Sequence, residues 1–354
     1  MATTVNIPFL TGGAFQDSAQ LKRFLDTTRR NFIAYAVAQN LPKISPMVRL
    51  ILERADQKPF QSAFIVQPVY PDLASASPQY LDTSGNFTIN DFNAATVNAV
   101  FEPAVMGNTI RLNEFEIAQA DSPNKVVNEL AIKVSDIGLQ TFAKLTNDLI
   151  RSRTSDKEFY GILDVVGISG VFGELDRTTY TWWVGTQYSY ATDLGNASNV
   201  YQGIERGVNK YMKNVGNVFG LPSCGFTDYA TFQKIIESFT PLERYNVGHV
   251  AEITEVREHT VKGVIVGGVP VFPDPYLSPY DAGGGNYVGD IIYLNLNNIH
   301  FSFASPFSFY TTEWQPEYIN AKLSWLSVFL IGGQLWSERP KAHLVIKGVP
   351  SMNL

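Results

Sequence analysis

The sequence has little cysteine and little charge, and both shortages limit the classes of protein to which it can belong. The chain of 354 residues contains one cysteine, Cys224, so an intrachain disulfide framework is excluded and an intracellular site of assembly is expected. Charged residues make up 17% of the chain, against about 25% in an ordinary soluble protein. Because fewer charges leave less strongly solvated surface, we expect part of the exterior to be buried against partners.

The sequence also lacks a basic excess and long apolar runs. Its formal net charge is −6 at pH 7, which argues against the basic surface of a dedicated nucleic-acid binder. No apolar run approaches the roughly 18 residues of a membrane-spanning helix. The first residues carry no basic stretch followed by an apolar core, so we expect no secretory signal.

No motif in the chain predicts catalysis, a metal or a cofactor. The four histidines, His249, His259, His300 and His343, lack the spacing of zinc ligands. The glycines form neither a dinucleotide-binding nor a phosphate-binding motif, and no motif around Cys224 marks a nucleophile. We therefore predict a protein that is not an enzyme and that needs neither a cofactor nor a metal.

The tryptophans leave one alternative of another class open, a β-rich carbohydrate-binding protein or hydrolase. Aromatic rings in strands usually supply core or interface area, but they can also form platforms for sugars or bases. The candidates are Trp182, Trp183, Trp314, Trp325 and Trp336.

What the chain does have is strand-forming sequence, above all in its last quarter, residues 261–349. Short β-branched and aromatic runs alternate there with Gly, Pro, Asn and Asp, which is typical of strands joined by turns. Earlier segments at 159–167 and 178–190 also favour strands. So much apolar surface with so little reactive chemistry indicates a protein that packs against something.

Residues 60–120 predict a protruding β-hairpin. Two strand-like stretches, 63–70 and 99–118, are separated by a segment that would be unusually long for a connection within a compact domain. Because an isolated hairpin is marginal in water, we expect it to lie on a neighbouring subunit. Its apolar residues Phe87, Phe92 and Phe101 are the candidate intersubunit contacts.

Apolar periodicity predicts several helices. The clearest, 122–154, would be roughly 45–50 Å long. A second, 21–39, carries a basic face of Lys22, Arg23, Arg29 and Arg30, which is either a solvated face or a contact with packaged nucleic acid or an acidic partner. Another is expected at 197–214 despite Gly203 and Gly207, and Asp228 can cap one more. Together with the strands, these helices predict an α+β fold.

The order of these elements resembles the major capsid protein of tailed bacteriophages, the HK-ninety-seven capsid fold. FGLPSCGFTDYATFQKI resembles that family's strand leading into a helix, and VKGVIVGGVPVFPDPYLSPY its late axial-domain strands. LSWLSVFLIGGQLWSERPKAHLVIKGV resembles its closing strands, with Pro340 and His343 near the end.

The resemblance implies five segments. They are an N-terminal arm and helix (1–59), an extended hairpin loop (60–120), a spine helix with the first part of a peripheral domain (121–194), an axial domain (195–300) and the closing peripheral strands (301–354). No lysine lies between Lys58 and Lys125, so we do not expect the covalent cross-links of some family members. No long charged segment precedes the arm, so a scaffold would be a separate protein or absent.

By the same resemblance we expect copies of the chain to form pentamers and hexamers of an icosahedral shell around viral double-stranded DNA. The four basic residues of the 21–39 helix would face the inside of the shell. Portal, scaffolding and cementing proteins are further expected partners, the DNA is enclosed without sequence-specific binding, and no membrane is involved. The expected location is the virion capsid, assembled in the host cytoplasm. An encapsulin-like shell holding an enzyme is the alternative with the same fold.

Overall fold

The computed structural model describes residue 22 and residues 45–55, 64–69, 97–114, 116, 123–195, 199–243, 250–252, 262–283, 285–304, 309–317 and 324–352. The chain divides into two compact units. Unit 1 comprises 1–59, 104–159 and 302–334, and unit 2 comprises 60–103, 160–301 and 335–354.

The α+β fold class predicted from the sequence is confirmed, since helices and mixed sheets alternate along the chain. The helices are α1 (Pro46–Glu53), α2 (Pro123–Ile150), α3 (Ile162–Val165), α4 (Val200–Tyr211), α5 (Asn217–Phe219) and α6 (Tyr229–Glu243), with a π-helix at Met212–Gly216 and a 3-10 turn at Pro340–Ala342. The first nine strands are β1 (Ile65–Val69), β2 (Val97–Phe101), β3 (Ala104–Asn113), β4 (Val171–Phe172), β5 (Leu175–Asp176), β6 (Thr186–Ser189), β7 (Cys224–Thr227), β8 (Val250–Glu252) and β9 (Lys262–Val266). The remaining strands are β10 (Val269–Pro273), β11 (Tyr280–Asp281), β12 (Tyr287–Leu294), β13 (Ile299–Phe303), β14 (Tyr310–Thr311), β15 (Gln315–Pro316), β16 (Ser324–Ser337) and β17 (Leu344–Pro350).

Unit 1 is built around β16, which pairs with β3 along one edge and with the short strands β14 and β15 along the other. The 28-residue helix α2 packs on β3, and Asn108 Nδ2 donates to Thr141 Oγ1 at 3.2 Å between them. Helix α1 begins at Pro46 because Ser45 caps it, its side chain accepting from Val48 N–H at 3.3 Å.

Unit 2 is built around an eight-stranded sheet in the order β6-β17-β12-β7-β10-β9-β8, with β11 paired to β12. The β7/β10 and β6/β17 pairs are parallel, and the others are antiparallel. Helices α4 and α6 pack on this sheet, and Ile204, Val208 and Ile235 lie in the resulting core with Val271 and Ile346.

The capping signal at Asp228 fits the structure, since Asp228 caps α6 and accepts from Thr231 N–H at 2.8 Å. Asn199, which the sequence analysis did not single out, caps α4 and accepts from Gln202 N–H at 3.4 Å. The helix predicted over 122–154 is confirmed as α2. The helix predicted over 21–39 lies outside the described residues except for residue 22.

Two local predictions were wrong. Residues 159–167 favoured a strand but contain α3, because Asp164 Oδ2 accepts from Gly161 N–H at 3.0 Å and caps the turn. The second stretch of the predicted hairpin is interrupted after Phe101. Its continuation, β3, leaves β1 and pairs with β16 over ten residues.

Neither compact unit is a single run of the chain. Residues 160–194 and 335–354 group with 195–301 in unit 2, and the five-segment division implied by the resemblance stays a prediction. The reason is strand pairing: β17 lies between β6 and β12 in the sheet of unit 2.

Candidate assembly surfaces

The strands β1 and β2, at the base of the predicted hairpin, form a short antiparallel ribbon paired from Ile65↔Phe101 to Val69↔Val97. Exposure alternates along β1, as expected of a strand with one free face. Val66 on the free face is 51% exposed. The residues between the two strands, with Phe87 and Phe92, lie outside the described residues, so their predicted role as intersubunit contacts stays a prediction.

Phe101 anchors the hairpin to its own subunit. Its ring meets Tyr160 edge-on at 5.9 Å and Phe172 at 5.1 Å between ring centroids, and it is fully buried. Gly173 allows this approach, because a Cβ there would lie 2.7 Å from the Phe101 ring. The prediction that Phe101 contacts a neighbouring subunit is therefore wrong, because its ring is buried in the core of unit 2.

Arg177 holds the loop against which the hairpin packs. Its guanidinium donates to the backbone carbonyls of Asp164 at 2.6 Å, Val165 at 3.0 Å and Trp183 at 3.0 Å. Burial lowers the pKa of Arg177 to about 10, so the side chain stays charged at neutral pH. Sequence reasoning missed this residue, since nothing near Arg177 signals that its partners are carbonyls up to 13 residues away.

The face of α2 that points away from β3 carries exposed apolar side chains. Ile132 is 62% exposed and Leu139 is 45% exposed. They lie seven residues apart and so share one side of the helix. A sequence signal for this face existed, because both residues fall outside the buried stripe of Leu130, Val134 and Leu145. Exposed pairs of this kind suit a protein–protein contact.

A second exposed apolar group lies in unit 2, beyond the π-helix that extends α4. Val218 on α5 and Leu221 are both exposed, and Gly220 between them adopts a positive φ of 77°, which permits the tight turn. The Arg339 guanidinium lies 5.3 Å from the centroid of the Phe219 ring beside them. This apolar turn, residues 218–221, is a second candidate contact surface.

Of the four predicted basic residues, the structure describes Lys22 alone. Its Nζ lies 3.6 Å from Glu313 Oε2 in a solvent-exposed ion pair, a contact of small energetic value. Arg23, Arg29 and Arg30 lie outside the described residues. The inner-face role of this group stays a prediction.

Most of the residues considered for chemistry are buried. Trp183, Trp314, Trp325 and Trp336 are core residues, which confirms the structural interpretation of these four rings, and Cys224 is buried on β7.

His343 lies close to a serine, but no substrate can reach the pair. Its Nδ1 accepts from Asn295 N–H at 3.1 Å, so Nε2 carries the proton and faces Ser337 Oγ at 3.3 Å. Burial lowers the pKa of His343 to about 3. Both His343 and Ser337 are inaccessible to solvent, which makes this contact part of the core.

Two further findings concern the described residues only. Within them, no group of three or more His, Cys, Asp or Glu side chains is placed to hold a metal ion. Among their helices, none combines the length and the apolar character needed to cross a membrane.

Comparison with solved structures gives strong matches, although no family model and no curated protein sequence matches the chain. The capsid protein of cyanophage A-1(L) aligns with a TM-score of 0.57 and 14% identity, covering 86% of this chain and 92% of that one. The capsid protein of an empty GTA particle aligns with a TM-score of 0.50 and 9% identity, covering 84% and 89%. The SrpI encapsulin of Synechococcus elongatus PCC 7942 aligns with a TM-score of 0.49 and 11% identity, covering 87% and 89%.

Proposed function

We propose, from the tailed-phage capsid fold that the chain has, that this protein is a major capsid protein. In this proposal, copies of it assemble into an icosahedral shell around viral double-stranded DNA. The observation that carries the proposal is the length of the shared fold, 86% of this chain and 92% of the cyanophage A-1(L) capsid protein. The buried tryptophans and the inaccessible His343–Ser337 contact support a structural role over a catalytic one.

Each part of the molecule has a role in this proposal. Unit 2 forms the axial domain, which gathers with its copies into pentamers and hexamers. Unit 1, with the spine helix α2, forms the peripheral domain. The hairpin reaches a neighbouring subunit through Phe87 and Phe92, and the basic residues Lys22, Arg23, Arg29 and Arg30 face the packaged DNA.

The low charge of the chain supports the proposed assembly. A lasting interface between subunits buries about 2,000 Å² or more, and interface cores are depleted of charged residues. The exposed Ile132, Leu139, Val218 and Leu221 are surfaces that such contacts can cover. The net charge of −6 leaves enclosed DNA free of tight, sequence-specific binding. The shell would lie in the virion, after assembly in the host cytoplasm.

Negative-stain electron microscopy of the purified protein tests the proposal. We expect uniform closed shells tens of nanometres across, alone or with a co-expressed scaffolding protein. A monodisperse small particle under all assembly conditions would contradict it. Nuclease-protected genomic DNA in shells from the native source would support the phage role, whereas an enzyme cargo without DNA would favour an encapsulin-like shell.

A further inference from the structure

Residues 160–185 of unit 2 have an acidic and partly apolar surface and are called the acidic lobe. The lobe exposes the apolar side chains of Leu163, Ile168 and Val171. Its only cation, Arg177, is buried and donates to backbone carbonyls. Its three carboxylates are at least partly exposed, and they belong to Asp164, Glu174 and Asp176. The accessible charge of the acidic lobe is therefore negative.

The apolar turn has the opposite charge around it. The Arg339 guanidinium lies over the ring of Phe219 in the turn, and the 3-10 turn next to Arg339 contacts the π-helix from which the apolar turn extends. Residues 213–223 and 338–342 contain one anion, Glu338, against three cations, which are Lys213, Arg339 and Lys341. The exposed apolar side chains of the turn are therefore surrounded by net positive charge.

The two surfaces lie at the same end of the eight-stranded sheet but on different strands. The acidic lobe leads into β6 and the apolar turn leads into β7, with β17 and β12 between them. The strand β6 is parallel to β17, and both β17 and β7 are antiparallel to β12, so β6 and β7 start at the same end, about 14 Å apart. Among the described strands, β6 is at the edge of this sheet, which leaves the acidic lobe accessible to another molecule.

We propose that the apolar turn of one copy of the chain binds the acidic lobe of the next copy. This inference rests on the proposed function, which supplies the neighbouring copy, and it goes beyond it by naming two surfaces of unit 2 that meet. Opposite charges attract the two surfaces and fix their register. The apolar side chains that both surfaces expose are removed from water when they meet, which stabilises the contact.

Charge disfavours the two symmetric alternatives. Two apolar turns would bring cations against cations, and two acidic lobes would bring carboxylates against carboxylates, which costs free energy in both cases. The contact therefore joins two different surfaces of the chain. Such a heterologous contact repeats from copy to copy and closes into a ring when the rotation between copies allows it. Rings of unit 2 are what the proposed pentamers and hexamers require.

The outer face of α2 is the rival partner for the apolar turn. Ile132 and Leu139 on this face are exposed and apolar, but the charged residues near them on α2 have both signs. These residues are Glu129, Lys133, Asp136 and Lys144. Because mixed charges give the cations around the apolar turn little net attraction, the acidic lobe fits better.

Cysteine pairing tests the contact. The native Cys224 is buried, so introduced pairs report without interference. Val218→Cys combined with Ile168→Cys or Val171→Cys should, for at least one pair, give disulfide-linked chains on mild oxidation of the assembled protein. Because each copy joins the next, the products should form a ladder of multiples that ends at five and six copies.

Two controls make the ladder specific. The strands into which the two surfaces lead start about 14 Å apart, whereas a disulfide joins Cα atoms at most about 7 Å apart, so we expect no bond within one chain. The matched control pairs Val218→Cys with Leu139→Cys on the outer face of α2, and it should give no ladder.

The outcomes separate this contact from the proposed function. Intact shells without the ladder, with a disulfide within one chain, or with cross-links to residue 139 instead would overturn the contact and leave the capsid role standing. A ladder from protein that forms no closed shells would support the contact and contradict the shell. Protein that gives neither shells nor a ladder would contradict both.

Charge reversal gives a second readout that needs no cysteine. Lys213→Glu with Arg339→Glu should raise the protein concentration required for assembly by about tenfold or more, because it places anions against the acidic lobe. The control, Arg206→Glu with Lys347→Glu, makes the same change of charge at exposed residues of unit 2 outside both surfaces and should shift that concentration by less than about twofold. Equal effects of the two double variants would overturn the contact.

Discussion

Phe101 shows how a single aromatic ring can belong to the subunit core although its strand lies at the base of the predicted hairpin. The ring sits among Tyr160, Phe172 and Gly173, and its strand is tied in by Val100 N–H donating to Gly173 O at 3.0 Å. The strand β2 is therefore held in the core of unit 2 at its Phe101 end.

Phe101→Ala should destabilise the isolated subunit by about 3–5 kcal/mol, because it removes a buried ring and leaves a cavity. The measurement is the free energy of unfolding from denaturant titration. Val66→Ala on the same hairpin is the matched control, and its exposed side chain should change stability by less than about 0.5 kcal/mol. Equal small effects of the two changes would show that Phe101 is not a core anchor.

The burial of His343 predicts that the folded state loses stability as the pH falls. Burial, assisted by the nearby His300, lowers its pKa in the folded state to about 3, while an unfolded histidine has a pKa of about 6.5. Its contribution to stability is therefore fully present above pH 6.5 and is lost as the pH falls toward 3, because the unfolded chain takes up the proton first. The expected slope is about 1.4 kcal/mol per pH unit between pH 6 and 4.

The measurement is the free energy of unfolding at several pH values for the wild type and for His343→Gln, which keeps a donor and an acceptor but does not titrate. The other ionisable groups here, His300 and Glu338, whose Nε2 and Oε1 lie 4.0 Å apart, are unchanged in both proteins. The variant should be less stable at pH 7. Its free energy of unfolding should also depend less steeply on pH, because its unfolding takes up about one proton fewer. Identical slopes would exclude His343 as the source.

At the scale of the element, the close packing of α4 explains why this helix contains two glycines. Each costs about 1 kcal/mol of helix propensity relative to Ala, yet both lie on the buried face. A Cβ on Gly203 would collide with the Tyr190 ring, and a Cβ on Gly207 would lie 2.7 Å from Ile346 Cδ1. The helix can approach the sheet only because these side chains are missing.

Gly203→Ala should therefore lower stability by about 1–3 kcal/mol through overpacking, outweighing the gain in propensity. Gly207→Ala should cost less, since the end of the Ile346 side chain can move. Thermal unfolding of both variants measures the balance between overpacking and helix propensity. The control is the exposed Asn209→Ala, which should be neutral or slightly stabilising. A stabilised Gly203→Ala variant would contradict the close approach of α4 to the sheet.

The outer face of α2 gives a prediction about assembly. Replacing Ile132 and Leu139 with Gln keeps helix propensity and removes two exposed apolar side chains, so the stability of the free subunit should change by less than about 1 kcal/mol. If a neighbour covers this face, each lost side chain weakens the contact by about 1.5–3 kcal/mol, and the concentration needed for shell formation rises at least tenfold. Light scattering during assembly measures the concentration at which shells form.

The control for this face is Asp136→Asn, which changes an exposed residue of α2 without removing apolar area. Shell formation by the Ile132→Gln, Leu139→Gln double variant at wild-type concentrations would show that this face stays open to solvent.

At the scale of the whole molecule, replacing Phe92 in the hairpin should impair shell formation, whereas replacing Phe101 at its base should impair the stability of the subunit. Phe92→Ala should leave the free subunit as stable as the wild type and raise the concentration required for shell formation, because the hairpin is proposed to lie on a neighbour. Electron microscopy of a concentration series, together with denaturant unfolding of the free subunit, separates the two effects. A Phe92→Ala subunit that loses several kcal/mol of stability would place Phe92 in the core.

Local sequence signals were sufficient to predict the features that depend on interactions between residues close together in the chain. The cap at Asp228, the long apolar stripe of α2 and the overall order of elements could all be predicted, and the capsid-type fold inferred from that order is confirmed by the structural similarity. The β-forming run at 159–167 failed as a prediction because a capping carboxylate and the carbonyl contacts of Arg177 hold it as a helical turn, and neither is visible in local propensity.

The sequence by itself determined the α+β class, the capsid-type order of elements, the single cysteine and the shortage of charge. The tertiary structure alone decided that β17 inserts between β6 and β12, that Phe101 faces inward, and that β3 pairs with β16. The physical reason is that propensity and periodicity act over a few neighbouring residues, whereas strand pairing and burial depend on partners up to more than 200 residues away, as Arg111 and Glu317 show.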